Sequence, residues 1–180
     1  MSSTIRFSTF PRTETPPSFT AQLVDAFRTR ETSIATVGRE KGLTSNKVLS
    51  TLTTDLIALG FIVEQGKAQA DKIKRPVFFG ENGIPALQYE IDAFHTEWRC
   101  GLEIEAGRAW LGNAIYRDLV QAMVMVDLSV LALAVPNGYR RKSLGRTVVS
   151  KNYEGSCAVA DALYGHSRMR MPYRLIIIGY

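Results

Sequence analysis

The chain has only two cysteines in 180 residues, Cys100 and Cys157. They lie far apart and match no metal-ligand spacing, so two free buried thiols are expected rather than a disulfide framework. Histidine is equally scarce. His95 and His166 are too few for a zinc site of several His and Cys ligands, or for a nuclease centre built on several histidines. No run of about 18 apolar residues occurs, and the opening MSSTIRFSTFPRTETPP lacks an apolar stretch followed by a small-residue cleavage site. Neither a membrane-spanning helix nor a secretory leader is expected, which predicts a cytoplasmic protein. There is no internal repeat or low-complexity tract.

What is present suits a globular protein, with 46% hydrophobic and 22% charged residues. The net charge of +5 is unevenly spread. Residues 1–83 carry 11 Lys/Arg against 8 Asp/Glu, residues 84–137 carry 3 against 7, and residues 138–180 carry 8 against 2. Basic ends suit a polyanion such as a phosphate backbone, whereas an acidic centre repels one unless a divalent cation sits on it. The bland alternative is that each block only solvates a surface.

Three segments follow from the spacing, and together they predict an α/β (α+β) chain. Residues 1–17, with Pro11, Pro16 and Pro17, predict an irregular arm. Residues 18–83 begin with a helix from Ser18 through Phe19, Leu23, Ala26 and Phe27. A short helix from Ser33 through Ile34 and Val37 to a glycine cap at Gly42 comes next. A third helix is capped by Thr44, with Val48, Leu52, Leu56 and Leu59 on one face. FIVEQG and VFFG then read as two short strands joined by a basic loop. Residues 84–180 predict, in order, strand, strand, helix, strand, helix and strand. The first two are a hairpin or two neighbouring strands, residues 137–151 a basic Gly-containing loop, and LSVLALAVP and PYRLIIIGY buried strands.

Within the second of these strands Glu103 and Glu105 alternate with Leu102, Ile104 and Ala106, so both carboxylates project from one face. Asp92 lies on the polar face of the strand before. Three acids meeting there repel and raise one another's pKa, which a divalent ion relieves: Mg²⁺, with Mn²⁺ as a possible substitute, prefers carboxylate oxygens and water. A plain amphipathic edge strand with a solvated polar face is the alternative. His95 reads as a surface or hairpin histidine rather than a base, and Trp98 and Trp110 as packing residues.

Two resemblances emerge from these residues. Residues 18–80 resemble the winged helix-turn-helix family, whose members usually place the third helix in the DNA major groove, though some serve protein interaction or dimerisation. That resemblance would set Thr44, Ser45, Asn46, Lys47 and Ser50 against bases or phosphates, and Lys67, Lys72, Lys74 and Arg75 against the backbone. Asp92 followed by Glu103-Ile104-Glu105, with GRAWLGNAIYRDL downstream, resembles the PD-(D/E)xK nuclease superfamily in the form found in restriction endonucleases of the BamHI and BglII type. Ile91 stands where the motif has proline, and Glu105 where most members have lysine. No helix is evident immediately before Asp92, where the family's core has one.

The second resemblance implies a compact mixed-sheet nuclease core and a metal held by Asp92, Glu103 and the main-chain oxygen of Ile104. Glu105 would position or deprotonate the attacking water. It also implies a type II restriction-like endodeoxyribonuclease that acts on double-stranded DNA as a homodimer, paired through Met123, Met125 and their neighbours. Arg140, Arg141 and Lys142 would clamp the cut strand, or else form a solvated loop. The rival expectation is a non-catalytic winged-helix transcription regulator with a C-terminal dimerisation or sensing domain, which leaves the carboxylate set unexplained.

Overall fold

Val130–Val135 and Arg174–Gly179 are apolar at almost every position because the sheet they share is covered on both faces. A computed structural model describes residues 3–40, 42–66, 68–107, 113–143 and 146–180, with the side chains of 141–143 excepted. Along the chain run β1 (Arg6–Phe10), α1 (Thr20–Thr29), α2 (Glu31–Ile34), α3 (Ser45–Ala58), β2 (Ile62–Val63), β3 (Ile73–Phe79), β4 (Pro85–Ile91) and β5 (Ala93–His95). They are followed by β6 (Cys100–Ile104), α4 (Ala114–Val124), β7 (Val130–Val135), β8 (Tyr139–Ser143), β9 (Arg146–Ser150), α5 (Asn152–Gly165) and β10 (Arg174–Gly179).

The main sheet is mixed and six-stranded, ordered β1-β10-β7-β6-β5-β2. Strands β6, β7 and β10 are parallel to one another, while β1, β5 and β2 each pair antiparallel. Alternation along the strands sorts the core into two layers. Leu102, Ile104, Ala132, Ala134, Ile176 and Ile178 face the apolar sides of α1 and α3. Leu131, Leu133, Val135, Leu175 and Ile177 face α4 and α5. Both faces are thus covered by helices, and no helix among the described residues is long and apolar enough to cross a membrane.

Helix α3 starts as expected, with the Thr44 hydroxyl accepting from Lys47 N at 3.2 Å. It buries Val48, Leu49, Leu52 and Leu56. Those side chains share one apolar cluster with the central strands, so Leu52→Ala should destabilise the whole chain by about 2–5 kcal/mol. A single unfolding transition, coincident in tryptophan fluorescence and circular dichroism, is the expected observation. A separate early transition for the helices would count against the shared core.

Elsewhere the chain departs from its sequence pattern. Within the expected arm, Ile5 and Phe10 are buried and residues 6–10 form the edge strand β1; the alternation IRFSTF outweighs the prolines that follow it. The expected second helix is confined to Glu31–Ile34. Beyond it the Thr36 hydroxyl donates to Tyr180 O at 2.6 Å and Gly38 takes φ +79°, both of which draw the backbone out of the helix. The two strands expected to pair as a wing do not pair with each other. Val63 and Phe61 are buried in the helical layer and β2 joins β5, while β3 pairs with β4 in a separate hairpin that spans residues 83 and 84. The basic loop of 137–151 contains the β8–β9 hairpin.

Candidate active site: a cleft of buried carboxylates

Strand β6 carries Gly101 and Glu103 on the face opposite Leu102 and Ile104, so Glu103 points to the α4 side of the sheet. The register Ala93↔Leu102 brings Asp92 alongside the end of β6. Asp92 occupies the bend between β4 and β5, and its Oδ2 accepts from Ile104 N at 2.8 Å. Glu105 extends the strand by one bond, its N–H donating to Ala134 O at 2.9 Å. Its own carbonyl accepts from the Tyr180 hydroxyl at 2.7 Å.

A residue not singled out from sequence completes the group. Asp118 on α4 is only 2% exposed, and it accepts from Arg117 Nε at 2.9 Å. Arg117 also bridges to Glu105 at 3.1 Å. The other carboxyl oxygen of Asp118, Oδ2, is buried with no hydrogen-bond partner. The sequence signal was an acid on the helix face shared by Ile115, Leu119 and Ala122, which belongs to the core.

Asp92, Glu103, Asp118 and Arg117 line a cleft of about 400 Å³ together with Glu64, Glu90 and Lys72, and Glu105 adjoins it through its ion pair with Arg117. Lys72 Nζ lies 2.6 Å from Glu64 Oε1 in a pair that is mostly covered. Burial raises all four central carboxyls, and mutual repulsion adds to it for three of them. Asp92 is pushed up to about 6 by burial, against the Ile104 N–H and with Glu64 and Asp118 adding to the rise. Burial, then Asp92, Asp118 and Glu105, holds Glu103 well above the usual carboxylate range. Glu105 is pushed up to about 8 by burial and then by Asp118. Asp118 is raised by burial against the bonds from Glu105 and Arg117. Among the described residues, no three Asp, Glu, His or Cys side chains stand near enough to one another to grip an ion as placed.

The other expected contact residues are scattered. Asn46, Lys47 and Ser50 are exposed at the start of α3, with Thr44 spent on its cap and Ser45 half-buried beside them. Asn46 and Ser50 line a groove whose far wall is Glu64, so it adjoins the carboxylate cleft. Lys72 faces the acids, and Lys74 is exposed on the hairpin. Arg75 is paired with Asp127 and lies 3.9 Å over the Phe94 ring. Arg140 is exposed on β8. Lys67, Trp110 and the part of the GRAWLGN stretch from Arg108 to Gly112 lie outside the described residues, as do the side chains of Arg141 and Lys142.

Both cysteines are free and buried. His95 is in the core rather than on the surface: its Nδ1 accepts from Trp98 N at 3.1 Å, leaving Nε2 to donate to Leu59 O at 2.9 Å. Trp98 packs, stacked between Phe19 and His95. A scan against protein-family models finds no match, and neither does a search of curated proteins.

Proposed function

We propose that the chain is a Mg²⁺-dependent endonuclease that hydrolyses phosphodiester bonds in double-stranded DNA, of the restriction or foreign-DNA-defence kind. One observation carries this reading: Asp92 and Glu103 reach one cleft from adjoining strands, Glu105 is ion-paired to Arg117 of its wall, and burial works against the charge of each carboxyl. Carboxylates so placed either hold protons or neutralise a cation. The donor set is all hard oxygen, which fits Mg²⁺ or Mn²⁺.

Asp92 and Glu103, with the carbonyl oxygen of Ile104, would hold the ion. A bound Mg²⁺ supplies a polarised water and charge stabilisation at the leaving oxygen. Glu105 would orient that water and take its proton, with Asp118 and Arg117 fixing the Glu105 carboxyl. Lys72 and Arg117 bring positive charge toward the phosphate. The order β5-β6-α4-β7 after Asp92 is the strand, strand, helix, strand read from the sequence, and α3 packs behind the sheet on its other face.

In place of a winged helix, we propose that the outer face of α3, with Asn46, Lys47 and Ser50, meets the duplex beside the cleft. A two-fold pair would use the exposed Tyr116, Val120 and Val124 of α4, since Met125 is buried. The test is conversion of supercoiled plasmid in the presence of Mg²⁺, with Glu103→Ala as the control. Equal cutting by both proteins would overturn the assignment.

A regulator that binds DNA without cutting it is favoured by one fact, the lack of three preassembled ligands among the described residues. Calorimetric titration with Mg²⁺ or Ca²⁺ separates the two. The nuclease has an ion site that vanishes in Asp92→Ala, and the regulator has none.

A further inference from the structure

A second cavity, of about 270 Å³, opens where β7 ends and the β8–β9 hairpin begins. Its charge is the reverse of the carboxylate cleft: Arg6, Arg39, Arg140 and Lys151 line it against a single acid, Glu154. The walls are built rather than merely exposed. Arg6 Nε donates to Asn137 Oδ1 at 2.7 Å and its other arm to Glu154 Oε1 at 2.5 Å, its guanidinium lies 4.2 Å over the Tyr153 ring, and Asn137 is anchored to Thr4 O at 2.8 Å. Arg39 is fixed by donating to Ala35 O and Ser33 O, each at 3.0 Å. Lys151 and Glu154 bring the first turn of α5, a helix of 14 residues, to the same rim.

From this we infer that the cavity is a phosphate site, and that its natural occupant is a backbone phosphate of the same nucleic acid that reaches the carboxylate cleft. Arg140 and Lys151, without an ion-pair partner among the described residues, are the cations an anion would meet there, while Arg6 and Arg39, their donors already engaged, add to the positive field and exposed Val37 and Val149 line the rest. The volume is small beside pockets that enclose drug-sized molecules.

Position supplies the link to the cleft. Strands β6, β7 and β10 are parallel, so Glu105, Asn137 and Tyr180 follow their C-terminal ends on one rim of the sheet. Tyr139 opens the β8–β9 hairpin with its ring close to Gly107. A Cβ at Gly107 would stand 2.0 Å from its ring, so the base of the β8–β9 hairpin is seated directly against the chain leaving β6. A strand laid along this rim would meet the acids at one point and the cations at another. The site rests on the proposed function only for the identity of the polymer; the anion chemistry stands without it.

The test is fluorescence anisotropy of a labelled short duplex in chelator, where cleavage plays no part. Arg140→Ala/Lys151→Ala, both exposed and outside the core, should weaken binding by about tenfold and flatten the dependence on log salt by about 2. Glu154→Gln, which removes the one acid, should tighten binding. Unchanged affinity and salt slope in the double variant would overturn the inference.

Competing inorganic phosphate and duplexes with and without a 5′-phosphate separate a backbone site from a site for a terminal or free phosphate. Equal loss on both duplexes supports the backbone assignment, whereas loss confined to the phosphorylated end, or displacement by millimolar phosphate alone, overturns it. Glu103→Gln should bind the duplex at least as tightly as the parent in these conditions. Failure of the nuclease reading therefore shows in cutting and ion binding, and failure of the phosphate site shows in metal-free affinity.

Discussion

Glu103→Gln should lose plasmid cleavage by about 10² to 10³ or more and, in chelator at pH 8, should melt at a higher temperature than the parent. The two effects share a cause. Glu103 lies at the bottom of the cleft, where burial and the charges of Asp92, Asp118 and Glu105 all oppose its ionisation. The amide keeps the shape of the carboxylate and removes the charge, relieving a strain of about 1–3 kcal/mol for a poorly compensated buried group. For a chain of this size each kcal/mol is worth about 2–4 °C. Cleavage falls because the cation loses a ligand that an amide replaces poorly. A variant that cuts like the parent would remove Glu103 from the site, and one that melts lower would mean its carboxylate is better compensated than its surroundings indicate.

The second large effect is a loss of stability as pH rises, the opposite of ordinary acid denaturation. Asp92 goes from 3.8 unfolded to about 6 folded, and Glu105 from 4.5 to about 8. A carboxyl raised on folding binds its proton more tightly in the native state. Stability is therefore greatest below the unfolded values and falls as pH climbs through the folded ones. Between pH 4 and pH 8 the loss is about 3 kcal/mol from Asp92, at 1.36 kcal/mol per unit, and of similar order from the Glu105–Asp118 pair, which titrates as one system.

Glu31 and Glu154 shift downward and work the other way, but both are near the surface, where such contributions are small. Urea midpoints measured from pH 4 to pH 9 in chelator should fall across this window, with Asp92→Asn flattening its acid side. Added Mg²⁺ should restore most of the loss at pH 8 and little at pH 5. A midpoint that rises steadily with pH would show these carboxyls to be solvated after all.

The parts of this molecule legible in its sequence are those set by short-range rules. The Thr44 cap, the apolar stripe of α3, the buried strands β7 and β10, and the shared face of Glu103 and Glu105 follow from capping and periodicity alone. What escaped depends on partners distant in sequence. Residues 61–63 and 77–80 look like two halves of a hairpin, yet Val63 gains more by burial beneath α3 and β3 finds its partner in residues 85–91. Asp118 was hidden because it occupies the buried face of an amphipathic helix, where an apolar residue is the ordinary occupant. Lys72 was read with its basic neighbours, and only the fold turns it toward Glu64. The cationic cavity draws Arg6, Arg39, Arg140 and Lys151 from four separate segments, which no local spacing could relate.

Strand β10 lies between β1 and β7, so residues 6–10 have no sheet partner until residues 174–179 arrive. During synthesis, β1 therefore waits with unpaired backbone until β10 is made, and the outer side of β7 waits for the shorter stretch between residues 135 and 174. Closing that gap demands the most widely separated pairing in the molecule, a step that is slow by its loop length and leaves two sticky edges open to other nascent chains. Expression at low temperature, or with a chaperone that masks exposed strands, should raise the yield of folded protein more than any change to the cleft.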